Sequence, residues 1–495
     1  MTAPAAQITE ETLAAIAKAQ TTGILESTGV YSYDLSDLVS LIPVVTPFRD
    51  MVARTTSKNG NPYAVWRAFM NATNLQPDPS MGFDYAASEV VFSEQDFQAR
   101  YKPTGFAGVV TQDSFDLAVG YADPYAITTF QVLNQVLIGD DRKEMGAQSF
   151  PLAACQAPTL VQSSSGGSIG AATVHVGVAA RTGSGYYYGS GNSQGAAAST
   201  TFASGAANSI TATTPAVRGA MCYDWFQSAD GTTWYYYTTT TVNTVTISQT
   251  ISADQALPDL PDLAGGWKGT AGGTPTFDSS GDNGSGNSND YDGFVATLTG
   301  DYNGAGQWAT PGTGTPNPAV WSSLDGASLT LSGGSIAEIQ DLLFLKLWNA
   351  VKCSPTAIMM NAAQAQQIAD LILAQPSAVT YLNTDTSGRV NVTGGGRVGS
   401  LINVPAGGVE VPIEVHVSLP PGTIIARTDR VPFPQAQISS VLEQRCLRDT
   451  AQFDYGISRV ANQAGGGPRR EFEIRSVSAF INRAPVAMGM LQNVG

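Results

Sequence analysis

The sequence predicts an α+β protein interrupted by a separate all-β module, on three observations. Apolar residues recur at helical spacing in two places: Ile127, Phe130, Leu133 and Leu137, then Ile339, Leu342, Leu343, Leu347 and Val351. Aromatic and β-branched runs punctuated by turn residues occur on both sides of those helices. Between the helices, residues 151–334 hold only three cations (Arg181, Arg218, Lys268), eleven Asp and no Glu. This block accounts for −8 of a formal net charge of −15, whereas 420–495 has nine Arg against six acids. So abrupt a shift in composition suggests an insertion.

Composition bounds the function. Only 13% of the 495 residues are charged, about half of the usual ~25%, while 43% are apolar and 52 are glycine. A disordered chain would show the opposite balance, and the glycines lack the three-residue period of collagen. A negative chain is poorly suited to neutralising phosphates, which excludes that kind of nucleic-acid binder. Two or three domains with substantial cores are expected. The N-terminal MTAPAAQITEETLAAIAKAQ has no cationic and apolar secretory pattern, and no run approaches a bilayer span. Cys155, Cys222, Cys353 and Cys446 are scattered without C-x-x-C spacing, which reads as free thiols in a reducing cytosol.

Residues 9–20 read as a short helix with Thr9 as N-cap. The segment 21–53 is too apolar to stay in water and too interrupted by Gly, Pro43 and Pro47 to form a core. An arm lying along a neighbouring surface explains both properties. Strands follow at 63–69, 88–92 and 106–119, with turns at Asn59-Gly60 and Pro103-Thr104-Gly105. The polar LQPDPSMGFDY between the first two reads as an extended hairpin. Asp123-Pro124 supplies N-cap and N1 of an amphipathic helix over 124–138, ended by Gly139.

Residues 151–252 read as all-β, with strands at 171–180, 220–228, 232–241 and 243–251 and a hairpin turn at Ser228-Ala229-Asp230-Gly231. Their spacing suggests a sandwich of immunoglobulin or fibronectin type with Trp225 in its core and no partner for Cys222. Residues 253–334 are loop-rich. Ser335 and Glu338 form a capping box for the second amphipathic helix. A strand at 356–360, a helix at 361–374, strands near 409–427, and two long antiparallel strands at 453–460 and 471–489 complete the chain.

The search for chemistry is mostly negative. His175 and His416 each sit in a V-H-V run without a nucleophile or metal partner nearby, which reads as structural. Asp278, Asp282, Asn283 and Asp290 miss the calcium-loop spacing and read as a solvated loop. There is no phosphate-binding loop and no nucleophile elbow, and GSGYYYGSG (183–191) fails the dinucleotide spacing and opens no helix. The aromatics Tyr186–Tyr188 and Trp234–Tyr237 read as sheet packing, with sugar stacking as the alternative.

The order arm, extended hairpin, long helix, α/β middle and long returning strands resembles the major capsid protein of tailed bacteriophages. SPTAIMMNAAQAQQI (354–368) is similar to the strand–Asn–helix step of that family's A-domain. PPGTIIARTDRVPFPQAQISSVLEQRCLRDTAQFDYGISRV followed by EFEIRSVSAFINRAPVAMGML is similar to its return to the P-domain. The resemblance implies an N-terminal arm (1–52), an E-loop hairpin region (53–115) and a P-domain with spine helix (116–150). It further implies an immunoglobulin-like insertion (151–255), an A-domain with long loops (256–430) and a return to the P-domain (431–495).

The implied function is self-assembly into the hexamers and pentamers of an icosahedral head around double-stranded DNA. The location is the virion, with assembly in the host bacterial cytoplasm. Portal, scaffold or decoration proteins are the implied further partners, and no enzyme activity, cofactor, metal or membrane is expected. Weak contacts summed over many overlapping neighbours give such a shell its stability. Leu38, Leu41, Ile42 and Val44 of the arm and Trp66 and Phe69 of the hairpin are the expected inter-subunit contacts, with packing inside the subunit as the alternative for the last two. Some relatives crosslink Lys to Asn with the help of a Glu. Lys58 and Lys102 are the candidate amines here, with no Glu or Asn identified. The competing reading is an extracellular carbohydrate-binding or adhesin-like β protein, and a glycoside hydrolase comes third.

Overall fold

A computed structural model describes residues 43–57, 60–73, 83, 91–118, 123–188, 195–231, 234–252, 290–332, 334–373, 383–384, 390–391, 398–431, 440–458 and 468–495. The helix expected over 9–20 lies outside the described residues. So do Leu38, Leu41, Ile42, Lys58, Asp278, Asp282 and Asn283.

The long helix begins as the sequence predicts. The Asp123 carboxylate accepts the N–H groups of Tyr125 (3.0 Å) and Ala126 (3.2 Å), and Pro124 stands where its missing N–H costs nothing. It does not stop at Gly139, however, but runs Pro124–Gly146. A mid-helix glycine costs about 1 kcal/mol relative to alanine. The turns beyond it outweigh that cost by burying Asp140, Asp141, Glu144 and Met145 against partners. The helix ends where a second backbone comes too close to admit a side chain: a Cβ on Gly146 would lie 2.8 Å from the Cα of Gly183.

This helix crosses a four-stranded sheet ordered Ala53–Thr56, Leu442–Ser458, Arg469–Asn482 and Lys102–Thr111, of which only the first pair is parallel. Strand Arg469–Asn482 alternates burial, so Phe472 and Ile474 meet Val132, Leu133 and Val136 of the helix, while Phe130 remains 56% exposed. Two expectations fail here. The strand read over 106–119 ends at Thr111, whose hydroxyl accepts the Ser114 N–H and turns the chain into a helix, Gln112–Leu117. The strand read over 471–489 breaks after Asn482 into a 3₁₀ turn, Pro485–Ala487, because proline has no N–H for a sheet ladder. A separate strand, Gly489–Gln492, then enters another sheet.

That second sheet has six strands, ordered Val320–Ser323, Gly489–Gln492, Ile424–Arg427, Ala357–Met360, Val409–Val415 and Ser400–Asn403. It packs against helix Ala362–Leu373 and a helix over 337–351 that opens with a π-helical stretch, Ile339–Phe344. Ile339, Leu343 and Leu347 are buried as their spacing predicts. The capping box is not formed: Glu338 accepts from the N–H of Thr330 (2.8 Å) and from its hydroxyl, and Ser335 pairs in a short strand.

Residues 159–247 contain two further sheets. One holds Tyr235–Thr240, Cys222–Ser228, Thr173–Arg181 and Ala196–Thr201; the other holds Thr244–Ile247, Ser209–Thr213 and Thr159–Ser163. They share one core that includes Val174, Val176, Val178, Ile210, Ala212, Tyr223, Val245, Ile247 and a fully buried Trp225. Strands 196–201 and 209–213 escape the sequence reading because Thr, Ala and Ser dominate them, and 159–163 because it has only five residues. The turn at 228–231 is built as expected: Ser228 Oγ accepts the Gly231 N–H (2.9 Å) and Gly231 takes a φ of +72°. Residues Gly183–Tyr188 form a short helix, contrary to expectation; Thr182 Oγ1 accepts the Gly185 N–H (3.0 Å).

The bodies meet in one hydrophobic hub. Phe48, Met145, Met221, Phe294, Leu298, Met359, Ile425, Phe480 and Met490 bring together the N-terminal segment, both larger sheets, the long helix and the sandwich edge.

Candidate assembly surfaces

Strands Tyr63–Thr73 and Val91–Arg100 pair antiparallel over their whole length, and no third strand joins them among the described residues. Among the described residues, positions 64–68 and 97–101 anchor the root of this hairpin. Trp66 stacks on Phe97 (5.6 Å between centroids), Phe97 meets Tyr302 edge-on (4.8 Å), and Tyr302 packs on Trp308 (4.6 Å). The Gln98 backbone N–H donates to Gly306 O (3.1 Å), and its side-chain amide donates to Ala305 O (2.6 Å). Gly306 is required there, since its φ is +74° and a Cβ would lie 1.9 Å from Asp96 O. Trp66 thus packs, half-buried, within this chain. Phe69 sits at a register shift in the same strand, opposite Glu94.

The N-terminal segment enters through a second anchored root. Helix Pro47–Met51 places Phe48 in the hub against Phe294 (5.3 Å), Phe480 (5.9 Å) and His416 (5.8 Å). Asp141 Oδ1 accepts the N–H groups of both Phe48 and Arg49 (2.9 Å each), and Ser418 Oγ donates to its other oxygen. Arg54 pairs with Glu144 (2.7 Å) and Asp140 (3.6 Å), and Arg49 approaches Asp140 (3.7 Å). Strand Ala53–Thr56 then lies parallel to 443–446, and Glu443 accepts from Thr55, Arg445 and Arg483. Just before this root, Val44, one of the expected contacts, is 40% exposed and its neighbour Val45 is 48% exposed.

Burial dominates the titration of this root. It pushes Glu144 up to about 8; Arg54 opposes the rise and Asp140 adds to it. Glu144 and Asp140 share the guanidinium of Arg54, and for the fully buried Glu144 the loss of hydration outweighs that attraction. Burial likewise drives His416 down to about 4 despite Asp141 nearby, which makes it a neutral core residue. Burial also works against the charge of Glu443, but the Thr55 hydroxyl, Arg483 and Arg445 outweigh it and hold the carboxyl below its usual range.

Lys102 opens strand Lys102–Thr111 at the hairpin root, half-buried beside Asp290 and Asp292. Asp292 is a half-buried carboxylate that desolvation lifts to about 6 and that accepts the Ser149 N–H (2.8 Å). His175 packs against Trp234 (6.5 Å) in the sandwich. Trp234, Tyr235 and Tyr237 are half-buried and Tyr236 is buried against Phe226, so this group packs the sheet. The sequence reading missed one exposed apolar feature: Ile402, Val404 and Val409 stand at the edge of the six-stranded sheet. Their signal was the alternation in L-I-N-V and V-E-V-P-I, read only as strand.

No family model matches the chain, and no curated protein matches it. Among solved structures, the capsid of the native GTA particle is similar over 95% of this chain and 97% of its own, at 8% identity and a TM-score of 0.42. The capsid of Myoviridae phage XM1 is similar over 94% of this chain and 97% of that one, at 8% identity and TM-score 0.36. A structure of phage G gp27 major capsid proteins and gp26 decoration proteins is similar over 94% and 96%, at 5% identity and TM-score 0.35. All three are capsids. The likeness is remote.

Proposed function

We propose that this chain is a major capsid protein of the tailed-bacteriophage type. In this reading it assembles as hexamers and pentamers into an icosahedral head that encloses double-stranded DNA. The observation that carries it is the hairpin. A two-stranded ribbon is marginal in water, and the contacts with the body among its described residues lie at its root. At roughly 3.4 Å per residue its eleven-residue first strand spans about 35 Å, far enough to lie on a neighbouring subunit. The N-terminal segment supports the same reading, because its root is clamped in the hub while Val44 and Val45 outside it remain exposed. The edge at Ile402, Val404 and Val409 is a further contact surface.

The seven-stranded sandwich, with four strands facing three around Trp225, is read as an immunoglobulin-like insertion on the outer face of the shell. A net charge of −15 suits a container that must not hold its DNA tightly. Portal, scaffold and decoration proteins would be its partners, the virion its location and the host cytoplasm its place of assembly. For crosslinking, Lys102 stands beside the half-buried Asp292, and an acceptor asparagine would have to come from another copy. Shells boiled in detergent should run as a single band at monomer mass.

Negative-stain microscopy of the purified chain tests the main proposal. Shells, or rings of five or six subunits, are expected. A protein that stays monomeric at assembly concentrations would overturn it.

A further inference from the structure

The helix Pro47–Met51 has five residues and does not cap itself. Pro47 has no N–H, and the Thr46 hydroxyl donates to the Asp50 carboxylate (3.1 Å) instead of accepting from the backbone. The Asp50 N–H finds Thr46 O (3.0 Å) within the turn, which leaves the N–H groups of Phe48 and Arg49 in need of acceptors. One oxygen of Asp141 takes both, at 2.9 Å each, from 93 and 92 residues away in the chain. A capping side chain normally comes from the residue just before its own helix; here the long helix supplies it. Asp141 is fully buried, and its second oxygen accepts from the Ser418 hydroxyl. Ser418 follows strand Val409–Val415, and Tyr187, lying under Arg142, holds the neighbouring Val417 O (3.1 Å). One carboxylate thus fixes the N-terminal segment to the long helix and to the end of a strand of the six-stranded sheet at once.

We infer that Asp141 is the positioning residue that sets the direction in which the chain before Pro47 leaves the subunit, and so which neighbouring copy that segment reaches. The inference rests on the shell reading and names one of its controls. Val44, Val45 and Thr46 precede the held turn directly, and both valines stand exposed. Any tilt of so short a helix is carried into every residue before it. Arg54, with Glu144 and Asp140, secures the far end of the same root, so Asp141 is the hold nearer the exit. Bonds to an ionised acceptor are short and directional, and removing the acceptor leaves two donors unpaired, that of Phe48 in the core.

The test compares Asp141→Ala with Asp141→Asn in the full chain, by amide hydrogen exchange of the unassembled subunit and by negative-stain microscopy after assembly. Asp141→Ala should speed exchange at Phe48 and Arg49 at least ten-fold. Strand Cys222–Ser228 of the sandwich should keep its wild-type rate, which a general loss of structure would not allow. The yield of closed shells should fall at least ten-fold. Asp141→Asn keeps an oxygen for the two N–H groups and an amide for Ser418, so it should restore most of both. If Asp141→Ala does not fold, Ser418→Ala frees the carboxylate to turn and should shift exchange and yield the same way. Closed shells at wild-type yield from a variant with fast exchange at Phe48 and Arg49 overturn this inference and leave the shell reading intact. So does exchange that rises equally in the sandwich. A wild-type chain that forms no shells overturns both.

Discussion

At the scale of single residues, the most consequential group is Glu144. Its carboxyl titrates at about 8 in the folded chain because burial and Asp140 oppose the charge more than Arg54 favours it. A carboxyl whose folded pKa is raised stabilises the fold at low pH, and that contribution is lost as pH rises through the folded value. Asp292 is raised only to about 6, and His416, at about 4 when folded, stops contributing a slope above its unfolded value near 6.5. In the window from pH 6.5 to 8 Glu144 contributes a falling slope, and Asp140 and Asp224, whose carboxyls burial also raises, act in the same direction. Glu144 alone should lower stability across it by at most about 1.4 kcal/mol per pH unit, read from denaturant midpoints. Glu144→Gln should reduce that slope. None of this was legible in the sequence, where Asp140, Asp141 and Glu144 look like an ordinary charged helix end. Their depth is set by Phe48 and Arg54, roughly ninety residues away in the chain.

At the scale of elements, the hairpin and the long helix each hang on a few close contacts. Phe97→Ala should cost about 3–5 kcal/mol of local stability, since it removes the middle of the ring ladder from Trp66 to Trp308. The expected signature is faster proteolysis between the hairpin strands, with the sandwich still resistant, and loss of shells. Gly146→Val should destabilise the whole subunit by about 1–3 kcal/mol, because the new side chain meets the Gly183 backbone; calorimetry of the subunit checks it. Elements marked by strong local chemistry were legible: the Asp123-Pro124 start, the turn at Ser228–Gly231 and the Ile339–Leu347 stripe. Where tertiary burial overrode a local signal, the reading failed. Gly139 did not end its helix, and Glu338 served Thr330 instead of a cap. The Thr- and Ala-rich strands of the sandwich carry little pattern of their own, because their partners supply the apolar surface.

At the scale of the whole molecule, the sandwich is bound to the body through several joints. Tyr187 donates to Val417 O (3.1 Å), Arg142 lies over the Tyr187 ring (4.6 Å), and Asn243 donates to Asp325 (3.0 Å). These contacts tie the acidic block to the long helix and the six-stranded sheet, so it should turn with the subunit as one body. The charge excess gives a molecular-scale prediction. Assembled or not, the protein should leave free double-stranded DNA unshifted in a gel at physiological salt. The three-part charge map was the most legible property of the sequence. What it could not show was that both hydrophobic bodies converge on one hub.

The strand Gly489–Gln492 lies between Val320–Ser323 and Ile424–Arg427, with partners on both sides. Gln492 also donates to Ala220 O (2.5 Å) and accepts the Gly219 N–H (3.3 Å), tying the same strand to the sandwich. Every partner of this strand is synthesised before it. A ribosome must therefore release these residues before the six-stranded sheet can close, and until then the gap between its flanking strands stays unfilled. In the shell reading, a subunit built this way completes its six-stranded sheet only after its own translation has passed Gln492, which separates manufacture from assembly in time.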